Sequence, residues 1–262
     1  MSSNSLEGTV VLVTGGAGGL GKVIAKAYLD AGASVAICDI HAERLAEAEQ
    51  ELQGERFLAR AADITDEAAV GELADAVVRR FGRLDVLVNN AGMADSFDPA
   101  GSLTKDRWDR VLALNLTGSF LTTRAAVNQM EAQTNPPAGG LVLQIGSIAG
   151  LHGMSAGLAY TVSKHGVVGL VKNTAGFYGP KGIYAIGLMV GAMMGTNIGD
   201  SFTTLGGHNT EAFKQTTSVS MTAADVVSPE DVAKYCLFLT DRNIAASANG
   251  SCITFTKNFP KA

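Results

Sequence analysis

No window of 18 or more apolar residues occurs in this 262-residue chain, so no membrane-spanning helix is expected. The opening stretch MSSNSLEGTVVLVTGG has no basic segment leading into an apolar one, so no secretory leader is expected either. Cysteine is scarce. Cys38, Cys236 and Cys252 are an odd number with no C-x-x-C spacing, which argues against a disulfide framework and a zinc site. Cys38 in SVAICDI and Cys236 in VAKYCLFL read as small buried hydrophobes. Charged residues make up only 17% and net charge is −5, with no lysine or arginine cluster. Nucleic acid and anionic membrane are therefore poor partners. Linkers, repeats and low-complexity segments are also missing. The expectation is one soluble, cytoplasmic domain over residues 1–262.

What the chain does have is apolar residues (47%), enough glycine for many tight turns (31), and a regular alternation of patterns. Short Val/Ile/Leu-rich runs at 9–13, 34–38, 56–63, 84–92, 139–147, 183–190 and 251–255 read as strands. Helical patterns separate them, including a long one over 105–130, one over 157–178, and one at 228–241 opened by Ser228 and Pro229. Continuous apolar strands alternating with helices imply a parallel sheet covered on both faces. The fold class is α/β, a Rossmann-type doubly wound parallel sheet of about seven strands. Residues 191–227 are polar, long and without a periodic pattern, as expected of a loop that covers a binding site.

Tyr160 and Lys164 stand four apart in AYTVSKHG, on one helical face, and Ser147 ends the apolar strand upstream. A nearby ammonium favours phenolate and is expected to lower the tyrosine pKa from near 10. Ser147 would hold a substrate oxygen, and the trio would move a proton on or off it. After the first strand, Gly15, Gly19 and Gly21 in TGGAGGLG open a helix. Glycine lets the backbone come close to a pyrophosphate resting on the helix N-terminus. Asp39 ends the second strand, where an acid bonds the adenosine ribose hydroxyls and repels a 2′-phosphate, and residues 16–18 supply no basic partner for one. The expected cofactor is NAD rather than NADP.

These residues together resemble the short-chain dehydrogenase/reductase family over nearly the whole chain. TGGAGGLG (14–21), NNAG (89–92), Asn115 in LALNLTG, Ser147, Tyr160 and Lys164 fall in the family's order and spacing. The resemblance implies hydride transfer between NAD and the carbon of a secondary alcohol or ketone, with Tyr160 as general acid/base. Lys164 would tune Tyr160 and hold the nicotinamide ribose, Ser147 would position substrate, and Asn115 would hold a water in a proton relay. Leu20, Ile40, Asp63, Ile64, Asn90, Ala91 and Gly92 would line the cofactor, with Asp63 on the adenine. Asp63 as a turn cap, NNAG as a plain strand-ending turn and Asn115 as a helix-bend residue remain the structural alternatives. The family implies a homo-oligomer, dimer or tetramer, built through the helices at 104–130 and 157–178.

Two regions depart from the family pattern. Ile186 stands where asparagine is usual and Val190 where proline is usual, while Thr196 comes one residue late for its nicotinamide contact. Loss of the proline predicts a more mobile or displaced turn. The chain also ends FTKNFPKA in place of Asp-Gly-Gly. Met93, His152 and Met193, with Ser147, are the candidate substrate contacts, and methionine walls suit an apolar alcohol or ketone. Two rival readings are an NADP-dependent 3-ketoacyl-type reductase and a non-catalytic dinucleotide-binding regulator.

Overall fold

The computed structural model describes residues 6–134 and 138–259. Seven strands, all parallel, form one sheet in the order β3-β2-β1-β4-β5-β6-β7. The first half of the chain builds β1 (Val10–Thr14), β2 (Ser34–Asp39), β3 (Phe57–Ala61) and β4 (Val86–Asn89). Helices α1 (Gly19–Asp30), α2 (Ala42–Leu52) and α3 (Glu67–Phe81) connect them. The second half adds β5 (Gly140–Ser147), β6 (Ile183–Val190) and β7 (Cys252–Phe255), with α4 (Lys105–Leu112), α5 (Ser119–Ala132) and α6 (Leu158–Tyr178).

Strand alternation divides the core between the two faces. Val11, Val13, Val35 and Ile37 pack with Ile24 and Tyr28 of α1. Val10, Leu12, Ala36 and Cys38 pack with Val70, Leu73 and Val77 of α3 and Val127 of α5. Burial on both faces explains why these strands read as unbroken apolar runs. The strand order reverses between β1 and β4, and ligands of open α/β sheets bind at the carboxyl ends beside such a switch.

Three regions differ from the sequence reading. The helix expected over 105–130 is two helices joined by a π turn at Ala113–Gly118. The 191–227 stretch is not structureless. It contains α7 (Asp200–Thr204) and α8 (Thr210–Phe213), and Met193 pairs in parallel with Val227. After α9 (Pro229–Leu239), capped by Ser228 as expected, a short α10 (Arg242–Ser247) appears that no periodicity announced. With valine at 190, β6 stays in register with β5 through Val190 and pairs with Phe255, and the Gly191 amide donates to Phe255 O at 3.0 Å. The altered turn therefore starts from a complete strand end. The end of the FTKNFPKA tail, residues 260–262, lies outside the described residues, as does the MSSNS start.

Candidate active site

Thr14 closes β1, and its buried Oγ1 accepts from the Asn90 and Ala91 amides, both at 3.0 Å. Asn90 Nδ2 donates to Thr14 O at 3.0 Å and Gly15 O at 3.1 Å. The NNAG turn is thereby fastened to the glycine loop. Gly15 and Gly19 have φ of +60° and +49°, conformations that other residues adopt only with strain. A Cβ on Gly21 would lie 2.1 Å from Gly15 O, so only glycine lets α1 start this close to the loop. The N-terminal amides of α1 receive no side-chain cap. Bare amides over a glycine cradle suit a pyrophosphate.

Asp39 sits beside this cradle. Its carboxylate accepts from the Ala17 amide at 3.4 Å and the His41 amide at 3.1 Å, and Ile40 next to it is 60% exposed. Asp63 accepts from the amide and hydroxyl of Thr65 at 2.9 and 2.8 Å, so it caps the turn that follows β3. Ile64 is buried against the π turn, where a Cβ on Gly118 would come within 2.8 Å of it. Leu20 is buried in the core below α1.

Buried Asn89 bonds α5 through Ser119 O, Thr122 Oγ1 and Thr123 Oγ1. Asn115 lies in the π turn. Its Oδ1 accepts from Met93 N at 2.8 Å, and its Nδ2 donates to Met93 O at 2.9 Å and Ser163 Oγ at 3.1 Å. Its own carbonyl accepts from Ser119 Oγ at 2.9 Å. Asn115 thus braces the loop after β4 against α6, one turn from Tyr160. A Cβ on Gly92 would lie 3.2 Å from Asn115 Oδ1 and 3.6 Å from Lys164 Nζ, which brings these three residues into one cluster.

Ser147, Tyr160 and Lys164 meet at the carboxyl end of β5. Lys164 is buried, its Nζ donates to Ile145 O at 3.2 Å and lies 5.4 Å from the centre of the Tyr160 ring. Burial pulls its pKa down to about 8. Tyr160 goes the other way. Burial pushes the phenol up to about 12, the hydrogen bond with Ser147 offsets part of that, and the Asp95 charge adds to the rise. This corrects the expectation of a phenol acidified by its neighbouring lysine, because desolvation of the phenolate is the largest influence on the group. Near neutral pH the hydroxyl therefore carries its proton and is set to donate it.

Over this cluster lies the 191–227 segment. Ala94 N donates to Ser201 Oγ at 3.0 Å, and Thr217 N to Met154 O at 2.8 Å. Phe97, at φ +59°, packs its ring 5.8 Å from Phe202 and 4.9 Å from Phe213, with His208 alongside. Asp98 bonds Arg107 at 2.7 Å and Asn209 at 3.3 Å. The far end of the segment reaches the glycine loop. A Cβ on Gly18 would lie 2.7 Å from Asn197 Oδ1, and one on Gly19 3.2 Å from Thr196 Cα. Asp200 pairs with Arg44 of α2 across the cleft.

Among the proposed substrate contacts, Met93 packs with Trp108, Val111 and Leu205 beside the site. Met193 leans on the sheet core instead, and His152 is exposed at the rim. The sequence reading passed over Asp95, Phe97, Asn197 and the Arg44–Asp200 pair. Each acts through a contact distant along the chain, and only the glycine-rich partner of Asn197 carried a local signal. Among the described residues no group of three or more His, Cys, Asp and Glu side chains could hold a metal, and no helix is long and apolar enough to cross a membrane.

Comparison with known proteins agrees with this geometry. A family model described as short chain dehydrogenase matches residues 9–204. The short chain dehydrogenase/reductase dpchG of Colletotrichum higginsianum is 45% identical over 255 residues, 96% of this chain and 94% of that protein. A 3beta-hydroxysteroid dehydrogenase 2 of Eggerthella lenta is 37% identical over 196 residues, 74% of each chain. The crystal structure of levodione reductase superposes with a TM-score of 0.82 at 28% identity, covering 96% of this chain and 97% of that one.

Proposed function

From the premise that this chain belongs to the short-chain dehydrogenase/reductase family and is an NAD(P)-dependent oxidoreductase of alcohols and ketones, we propose that it uses NAD on an apolar cyclic secondary alcohol or its ketone. The observation that carries the reading is the convergence of Ser147, Tyr160 and Lys164 beside an uncapped helix start and its glycine cradle. Bound there, the nicotinamide would supply or accept the hydride.

The residues divide the remaining work. Gly15, Gly19, Leu20 and Gly21 bring the pyrophosphate to α1. Asp39 and Ile40 meet the adenosine ribose, Asp63 and Ile64 the adenine side, and Asn90, Ala91 and Gly92 the middle of the cofactor. Thr196 and Asn197 close over the loop. Lys164 holds the nicotinamide ribose. Ser147 donates to the substrate oxygen, and Tyr160 gives it a proton in reduction or takes one in oxidation. Asn115 fixes the wall that keeps Tyr160 and Lys164 in register.

The preference for NAD rests on Asp39, whose carboxylate sits on the loop and disfavours a 2′-phosphate. Cyclic, apolar substrates are supported by Met93, Leu205 and the Phe97–Phe202–Phe213 rings along the 191–227 segment, which acts as a lid. They are also supported by a relative named for a hydroxysteroid and a structural neighbour named for levodione. The reading further takes residues 1–262 as one catalytic domain, cytoplasmic, assembled as a dimer or tetramer.

The test is a panel of cyclohexanol, 1-decalol, 2-octanol and their ketones with NAD, NADP and the reduced forms, followed by nicotinamide absorbance. Native protein should turn over a ring alcohol with NAD, and Tyr160→Phe should lose roughly 10²–10⁴-fold in kcat while still binding NADH. Equal turnover by Tyr160→Phe, or a preference for NADP, would contradict the reading.

A further inference from the structure

Asp95 is a carboxylate buried to 2% exposure in the loop between β4 and α4, and neither its surroundings nor its sequence context mark it as a ligand. Both of its oxygens are aimed at the start of the helix that carries Tyr160 and Lys164. Oδ2 accepts from the amide of Tyr160 itself at 2.9 Å, and Oδ1 from the amides of Gly157 at 3.1 Å and Phe97 at 3.0 Å. The 21-residue helix α6 has no cap of its own, because its N-cap residue is Gly157. A Cβ at Gly157 would lie 2.5 Å from Asp95 Oδ2, so the glycine admits the carboxylate. An anion at this end of a helix is also favoured by the helix dipole.

On the reading that Tyr160 is the acid/base, we propose that Asp95 is a positioning residue for that hydroxyl: it fixes the first turn of α6 and its buried negative charge biases the site toward proton donation. An uncharged cap would hold the helix equally well. What a carboxylate adds is repulsion of a phenolate forming on the residue whose amide it already holds. The Asp95 charge is one of the causes that hold the Tyr160 pKa up. The other groups facing the phenol are Lys164 on α6 and Ser147 at the end of β5. Burial raises the pKa of Asp95, its three amide bonds lower it and Asp98 behind it raises it, while Asp98 is itself paired with Arg107, which leaves Asp95 as the nearer anion without an ion pair among the described residues. The carboxylate thus acts with burial to keep the proton on Tyr160, against the hydrogen bond of Ser147, and helps to set the pH at which oxidation begins.

The experiment compares native protein with Asp95→Asn and Asp95→Ser, both neutral acceptors able to cap α6. The pH profile of kcat for oxidation is measured with the ring alcohol and NAD turned over best in the panel. A second readout needs no substrate. It follows the phenolate absorbance band in a rapid jump to high pH, with Tyr160→Phe subtracted. We expect the alkaline rise in kcat and the Tyr160 phenolate transition to move to lower pH by about half a unit to one unit in both variants, with NADH affinity unchanged. A fall in kcat with neither transition moved would make Asp95 a simple cap and overturn the proposal. Failure of both neutral variants to fold would overturn it as well, by making Asp95 a determinant of the fold. Full activity of Tyr160→Phe is a separate outcome, which removes the acid/base reading on which the proposal rests.

Discussion

Replacing Gly21 by alanine sets two physical effects against each other. Gly21 lies in the first turn of α1, where helix propensity alone favours alanine by up to about 1 kcal/mol. Geometry opposes it. The new Cβ would stand 2.1 Å from Gly15 O and 2.6 Å from Asn90 Nδ2, against ordinary contacts of 3.4–4 Å. The first of these is backbone, so it cannot swing away, and α1 must lift off the loop. Overpacking of this kind costs about 1–3 kcal/mol. Lifting the loop also strains the two bonds that Asn90 makes to Thr14 O and Gly15 O, at roughly 1 kcal/mol each. The net loss is about 2–4 kcal/mol, or roughly 5–15 °C in Tm. Gly71 supplies the control, because it lies in α3 with nothing within 4 Å of an added Cβ. Gly71→Ala should stabilise by about 0.5–1 kcal/mol. Thermal melting read by circular dichroism, with a fluorescence titration of NADH, measures both variants. A Gly21→Ala protein that melts at or above the native temperature and binds NADH within twofold of native would refute the steric reasoning.

Three further outcomes are expected. Lys164→Met should abolish turnover yet stabilise the fold near pH 7 by up to about 3 kcal/mol, since a lysine held near 8 rather than 10.5 is an unfavourable buried cation. The Lys164 contribution to stability rises between about pH 8 and 10.5, where the unfolded chain binds the extra proton, while buried Cys38 and Cys236 from about pH 9 and Tyr28 and Tyr160 from about pH 10 act in the opposite direction. The melting-temperature advantage of the methionine variant over native protein should therefore shrink between about pH 8 and 10.5, and an advantage that stays constant across that range would refute the assignment. Asp39→Ser should shift the ratio of kcat/KM for NAD over NADP by roughly 10–100-fold toward NADP, the worth of a charged hydrogen bond, and an unchanged ratio would remove Asp39 from cofactor choice. Asp200→Asn should free the 191–227 segment from Arg44 and weaken NADH binding by no more than about fivefold at low salt, with the difference gone at high salt. A loss that persists in high salt would mean the pair is more than a surface latch.

The sheet was legible because a strand covered on both faces needs apolar residues at every position, and such runs need no partner to be recognised. The glycine cradle was legible for a similar reason, since backbone approach is a local demand. The break in the helix at Ala113–Gly118 was not, because it is set by the bonds of Asn115 to Met93 and Ser163, residues 22 and 48 positions away. The direction of the Tyr160 shift was misjudged for a related reason. A lysine four residues away is visible in sequence, whereas the burial that raises the phenol pKa exists only once α6 has docked against β5. The two helices of the 191–227 segment were not legible because they are only five and four residues long, too short to show a period.

The wide turn at Ala113–Gly118 also limits how the gene can change. It amounts to one surplus residue wound into an otherwise regular cylinder. Removing that residue would restore ordinary winding with the flanks nearly in register, because the wide turn already absorbs it, but adding one more would rotate one flank against the other by about 100° and push them apart by about 1.5 Å. Neither flank is free to turn, for Asn115 grips the backbone of Met93 on one side while Thr122 and Thr123 hold Asn89 on the other. An insertion that most long helices would absorb by sliding should here dismantle the wall behind the reacting hydroxyl, so this stretch should tolerate substitution, or loss of its surplus residue, far better than any added length.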